Sequence, residues 1–243
     1  MFGRGLKLLS ILSVVLVTGA FALVFFYAPN DADQGFVQKI FYLHVPLAIT
    51  ALGGFVAGGV FGLRYLRTGD RRHDLRSYVS IHLALILAVG ALVTGSIWAR
   101  ASWGHWWVWN EPTLVAFLIV FLLYACYQPL RFSIEDRDRQ ARYAAVFAVV
   151  AGAFVPINFL SVRFAQRVTT HPRVLGSTDA MPGSMALTFI LCIVAIVVLF
   201  VTLCKYELAS KNATIQLAQL RRRLAGDDDG LLALRRSAAP QEL

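Results

Sequence analysis

The chain has 243 residues, of which 58% are hydrophobic and 15% charged, and it carries a net charge of +9. A soluble domain of this length holds more charge, and the apolar residues here come in long runs, so composition excludes an ordinary soluble protein and predicts an all-α polytopic membrane protein. The positive charge does not signal nucleic acid: the arginines separate apolar runs, and no recognition motif accompanies them.

The first expected span covers about Leu6 to Ala28, behind Arg4 and Lys7. Ala20-Phe21-Ala22 resembles a signal-peptidase site, but the apolar run continues through Tyr27, which favours an uncleaved anchor. A loop from Pro29 to Val45 follows. The second span runs from Pro46 to about Tyr65, with proline at a first helical position where no extra donor is lost. It holds Gly54-x3-Gly58-x3-Gly62, flanked by Gly53 and Gly59, a spacing that lets a neighbouring helix approach. Arg64, Arg67, Arg71, Arg72 and Arg76 mark the next loop. The third span covers about Tyr78 to Ala99, and the fourth about Pro112 to Leu130. Arg131, Arg137, Arg139 and Arg142 separate it from the fifth, about Tyr143 to Val162, which Pro156 is expected to kink. A long loop, 163–184, precedes the sixth, about Met185 to Tyr206. Residues 1–206 therefore form one six-span domain with outer loops 29–45, 99–111 and 163–184. Residues 207–243 read as a polar tail with a short helix near Leu208 to Leu224, broken at Gly226-Asp227-Asp228-Asp229-Gly230.

Eighteen of the 23 Lys and Arg residues lie on the side of the two termini. That bias puts both termini in the cytoplasm. Lys39, Arg100, Arg163, Arg167 and Arg173 are the five on the outer side.

All five tryptophans, Trp98, Trp103, Trp106, Trp107 and Trp109, fall in one stretch between the third and fourth spans. Trp103, Trp106, Trp107 and Asn110 follow the i, i+3, i+4, i+7 spacing, and as a helix the stretch would place them on one face, extended by Leu114. An interfacial aromatic belt is the alternative, but a belt spreads its tryptophans over many helix ends. A Trp-rich segment lying flat at the outer interface suits a large, planar, mostly apolar ligand.

Three of the five histidines, His44, His105 and His171, fall on the outer side; His73 and His82 read as structural. His44 stands two residues before Pro46, where Val45 is biased away from the helical region and a bend is expected. His171 stands in Thr169-Thr170-His171-Pro172-Arg173. Two histidines entering one aromatic surface from different loops is the arrangement that axial ligation of haem needs. For His44, a backbone-bonded interfacial histidine remains the alternative. Arg100, Arg163, Arg167 and Arg173 are candidates for the propionates. Cys126, Cys192 and Cys204 lie in apolar runs without C-x-x-C spacing and read as small fillers. There is no Walker motif, no nucleophile beside a base, and no charged residue in mid-span.

Trp103-Gly104-His105-Trp106-Trp107-Val108-Trp109-Asn110 resembles the "WWD" signature of haem-handling membrane proteins, W-G-x-W-W-x-W-D. Six spans, Lys39-Ile40-Phe41-Tyr42-Leu43-His44-Val45-Pro46 and a histidine in the last outer loop resemble the CcmC branch of that family, over nearly the whole chain except the tail. The resemblance implies that His44 and His171 are axial ligands of haem b. It implies that the tryptophan stretch, with Trp103, Trp106, Trp107, Trp109, Asn110 and Arg100, holds haem at the periplasmic face of the inner membrane. It further implies delivery to a CcmE-type haem chaperone during cytochrome c biogenesis, beside CcmA- and CcmB-type ABC transporter subunits and a small CcmD-type subunit. The act is transfer, assisting covalent attachment to the chaperone; no hydrolase or redox motif makes the chain an enzyme in the usual sense. The family's Asp is Asn110 here, followed by Glu111-Pro112-Thr113-Leu114, so Glu111 is the candidate for the acidic group. The competing functions are a haem or small-molecule permease subunit and a scaffold that binds partners without haem.

Overall fold

The structure, a computed structural model, describes the backbone of residues 5–164, 171 and 181–237, and the side chains of all of these except 161–163, 223 and 225–237. Its helices are α1 (Leu6–Phe26), α2 (Phe41–Thr68), α3 (Arg71–Trp103), α4 (Pro112–Ala125), α5 (Tyr127–Phe132), α6 (Arg137–Phe164) and α7 (Gly183–Ser237), with a 3-10 turn at Phe36–Ile40 leading into α2. Among the described residues, six stretches are long and apolar enough to cross a membrane: Leu6–Phe26, Phe36–Thr68, Arg71–Trp103, Pro112–Phe132, Arg137–Leu160 and Gly183–Arg222. The chain is therefore an all-α, multi-pass membrane protein.

The main core gathers α2, α3, α4, α5 and α6 around Phe55, Ile81, Tyr124 and Tyr127, all fully buried. The Phe55 and Tyr124 rings stack at 3.9 Å, and the Tyr124 hydroxyl donates to the Phe55 carbonyl. The glycines of α2 explain how three helices come this close. They serve three neighbours rather than the one that the spacing suggests, Gly54 also meeting the Phe200 ring of α7. Gly54 and Gly58 face Ala84 and Ile81 of α3, whereas Gly59 and Gly62 face the backbone of α6 at Ala145, Ala148 and Gly152. A Cβ at Gly59 would stand 2.9 Å from the Ala148 carbonyl oxygen, so the two backbones are in direct contact.

A second cluster joins α1, α7 and the start of α2 through Val24, Tyr42, Phe189 and Cys192. Polar pairs reinforce it: Ser13 with Thr202 and Ser10 with Tyr206, each at 2.8 Å. Lys39, expected in the loop from Pro29 to Val45, is buried. Its ammonium donates to the carbonyls of Val24 and Ala28 at the end of α1, where orphaned acceptors and the helix dipole both favour a cation. The cysteines are free thiols, with Cys192 buried.

Two expectations are corrected. Helix α2 starts at Phe41, so His44 lies in its first turn and Pro46 lies within it. The preceding 3-10 turn already winds the chain, and Pro46 forfeits a single hydrogen bond near the helix start while being fully buried. The tail does not break at Gly226-Asp227-Asp228-Asp229-Gly230, because α7 continues as one helix to Ser237. Pro156 likewise sits inside α6.

The end of the bundle away from His44 is closed by a buried ion pair. Arg131 forks onto Asp74 with two 2.7 Å contacts, and its guanidinium also meets the Tyr127 hydroxyl and the Tyr78 ring. His82 is held by Gln128 at 3.0 Å and stacks on Tyr78. His73 stacks on Phe61. Both histidines are remote from the tryptophans, in keeping with structural roles.

Candidate functional site

At the opposite end, the His44 ring from α2 packs against α3. Its Nδ1 lies 2.9 Å from the Ala91 carbonyl oxygen and 3.2 Å from the Thr94 hydroxyl. A carbonyl only accepts, so Nδ1 carries the proton and donates. The Thr94 hydroxyl spends its own proton on the Gly90 carbonyl, at 2.8 Å, and accepts from the imidazole. This fixes the tautomer and leaves the Nε2 lone pair as the ring's coordinating atom.

One turn beyond Thr94, Trp98 points its indole N–H to the Gln34 side-chain oxygen, at 2.9 Å, which ties the loop before α2 to α3. The Trp98 and Trp103 rings meet edge to face at 4.9 Å. His171 joins this pair, 6.3 Å from Trp98 and 6.5 Å from Trp103 between ring centres. The two histidines singled out from the sequence are thus both placed along the last turns of α3, His44 at Thr94 and His171 at Trp98 and Trp103. An apolar cavity of about 300 Å³ opens between α1, α2, α3 and α7, and Thr94, which bonds the His44 ring, stands in its wall.

The tryptophan stretch is not the single helix that its spacing suggests. Helix α3 ends at Trp103, where Gly104 takes a left-handed conformation (φ 77°) and donates to the Arg100 carbonyl. Residues 105–111 then run as an irregular loop. Glu111 caps α4 through the Thr113 N–H, and Pro112 occupies the first turn. Glycine stop and Glu-Pro start together outweigh the apolar spacing between them. Trp103, Trp106, Trp107 and Asn110 consequently do not share one helical face. Trp107 and Trp109 pack edge to face at 6.0 Å, with the Trp107 indole N–H buried and without a partner among the described residues. Trp106 and Trp109 are 60% and 74% exposed, which leaves their ring faces open. His105 and Asn110 are exposed, whereas Glu111 is 2% exposed.

Arg100 is exposed and its guanidinium donates to the Gly104 carbonyl, closing the end of α3. Of the other arginines proposed for propionates, Arg167 and Arg173 lie outside the described residues, as does the side chain of Arg163. Sequence reasoning missed Gln34, Ala91, Thr94 and Gly95, all of which bear on the site. Their only signal is the packing of α2 and the loop before it on α3, which no local motif encodes.

Residues 1–223 match the family model CcmC, described as Heme exporter protein C. A protein named Heme exporter protein C from Paracoccus denitrificans (strain Pd 1222) is 33% identical over 139 residues, 57% of each chain. Its namesake from Escherichia coli (strain K12) is 32% identical over 156 residues, 64% of this chain and 63% of the relative. That from Haemophilus influenzae (strain ATCC 51907 / DSM 11121 / KW20 / Rd) is 28% identical over 85% of each. The matched part thus spans little more than half the length of the first of these relatives. With nine-tenths of its length under one family model, the chain belongs to the CcmC family.

Proposed function

We propose that this protein holds haem b at its His44 end and hands it to a membrane-anchored CcmE-type chaperone in cytochrome c maturation. The observation that carries the reading is that His44, bonded to Thr94, and His171, beside Trp98 and Trp103, approach the end of α3 from separate segments. His44 offers Nε2 to the iron because its Nδ1 proton is already committed. His171 supplies the opposite axial nitrogen. Trp98 and Trp103 flank the macrocycle, and the apolar cavity beside Leu43 and Thr94 receives its hydrocarbon edge. Trp106 and Trp109, largely exposed, form the side on which the acceptor approaches, with Trp107 and Asn110 between them. Arg100 is the described arginine placed to meet a propionate, by trading the Gly104 carbonyl for a carboxylate.

The charge bias sets the orientation: the arginine-rich end and both termini face the cytoplasm, and the haem site faces the periplasm. In this reading CcmA- and CcmB-type transporter subunits and a CcmD-type small subunit are neighbours in the inner membrane. The test is the visible spectrum of protein purified from haem-replete cells. Wild type is expected to show six-coordinate haem, His44→Ala and His171→Ala to lose or alter it, and His73→Ala to keep it. Colourless wild type would leave the tryptophans as a docking surface of a scaffold. Loss through His73→Ala alone would place haem at the other end.

A further inference from the structure

We infer that Gly95 and Thr94 of α3 are the positioning residues that set the place and tautomer of the His44 imidazole; the inference rests on the haem-ligand reading of His44. Gly95 is no turn glycine. It lies within α3 and is not among the residues with positive φ. A glycine in the middle of a helix is less favourable than alanine, so the backbone gains nothing from it. What it supplies is space. A Cβ built there would stand 2.7 Å from His44 Cε1, 3.2 Å from Nδ1 and 3.6 Å from Nε2, and these are its three nearest neighbours. The imidazole edge therefore lies directly on the Gly95 backbone. An alanine would push the ring back by about 1 Å to reach ordinary carbon contact. A ring so moved cannot keep the 2.9 Å bond to the Ala91 carbonyl.

Thr94 completes the cradle. Ala91, Thr94 and Gly95 fall on one face of α3 by their i, i+3, i+4 spacing. Ala91 and Thr94 take the Nδ1 proton from the same side, and Gly95 provides the floor. Removing such a partner from a metal-bound histidine typically weakens binding 10- to 100-fold.

The experiment compares Gly95→Ala, Thr94→Val and Thr94→Ser with wild type and His44→Ala. It reads the coordination and spin state of the bound haem and the rate of haem loss to an excess of a haem scavenger. Gly95→Ala is expected to lose the six-coordinate spectrum and to release haem at least about tenfold faster. Thr94→Val is expected to release haem faster, and Thr94→Ser to behave as wild type. Gly54→Ala, which meets Ala84 and Phe200 at 2.8 Å and lies away from the ring, is expected to keep the spectrum. Adding Gly95→Ala to His44→Ala is expected to change nothing further, because the two act through one ring. A wild-type spectrum and release rate in Gly95→Ala, with His44→Ala clearly altered, would overturn the cradle and leave His44 as a ligand. An unaltered His44→Ala would overturn the ligand reading itself. If Gly95→Ala fails to accumulate, Thr94→Val decides: wild-type release there overturns the inference.

Discussion

Removing one partner of the Asp74–Arg131 pair is the sharpest perturbation of the scaffold. Both side chains are 10% exposed, and the guanidinium meets the carboxylate through two contacts of 2.7 Å. Asp74→Ala leaves that guanidinium buried with a neutral hydroxyl and a ring face as its remaining partners nearby. Stranding a buried charge in this way costs about 3–5 kcal/mol, far above the usual 0–1 kcal/mol of an exposed pair. The exposed pair of Arg71 with Asp138, which joins α3 to α6 at the same end, provides that comparison within the molecule. Reversible unfolding in mixed micelles measures both. Asp74→Ala is expected to lose about 3 kcal/mol or more, and Asp138→Ala less than about 1 kcal/mol. Replacing both buried partners, as Asp74→Ala with Arg131→Met, is expected to recover much of the loss, since no uncompensated charge remains. An Asp74→Ala cost below about 1 kcal/mol would refute the buried-pair argument.

Two further perturbations follow from the packing. Gly59→Leu is expected to force α2 from α6 and to cost several times more stability in the same unfolding assay than Gly53→Leu, because a Cβ at Gly53 has nothing within 4 Å while one at Gly59 meets backbone. Equal costs would mean that the α2–α6 contact is looser than described. Trp98→Phe keeps a ring beside His171 but loses the bond to Gln34, so stability is expected to fall by about 1 kcal/mol with the haem spectrum retained. Gln34→Leu is expected to match it, and a large spectral change in either would show that this bond serves the ligand rather than the loop.

The fold was largely legible because a bilayer demands long apolar runs, and six of them are plain in the sequence. Where helices start and stop was harder, since local cues compete. At Pro46 the bias of proline against a helical predecessor suggested a bend at Val45. The turn at Phe36–Ile40 had already committed the chain to helix, and burial of the proline ring favours that outcome. At Gly104 the balance went the other way: periodic tryptophans suggested a helix, while a glycine stop and a Glu-Pro start end one and begin another. The candidate histidines drew notice because one imidazole two residues before a proline and another directly before one, on the side with every tryptophan, are an unusual coincidence. Their cradle did not. Thr94 and Gly95 look like ordinary members of an apolar helix, and only the pairing of α2 with α3 gives them a partner.

The most direct measurement counts the imidazole nitrogens on the iron. Protein loaded with ferric haem and grown with isotope-labelled histidine would be examined by pulsed electron paramagnetic resonance, wild type beside His44→Ala and His171→Ala. The account predicts two labelled nitrogens in wild type and one in each variant. Two in a variant, or none in wild type, would contradict the claim that His44 and His171 hold the iron between them.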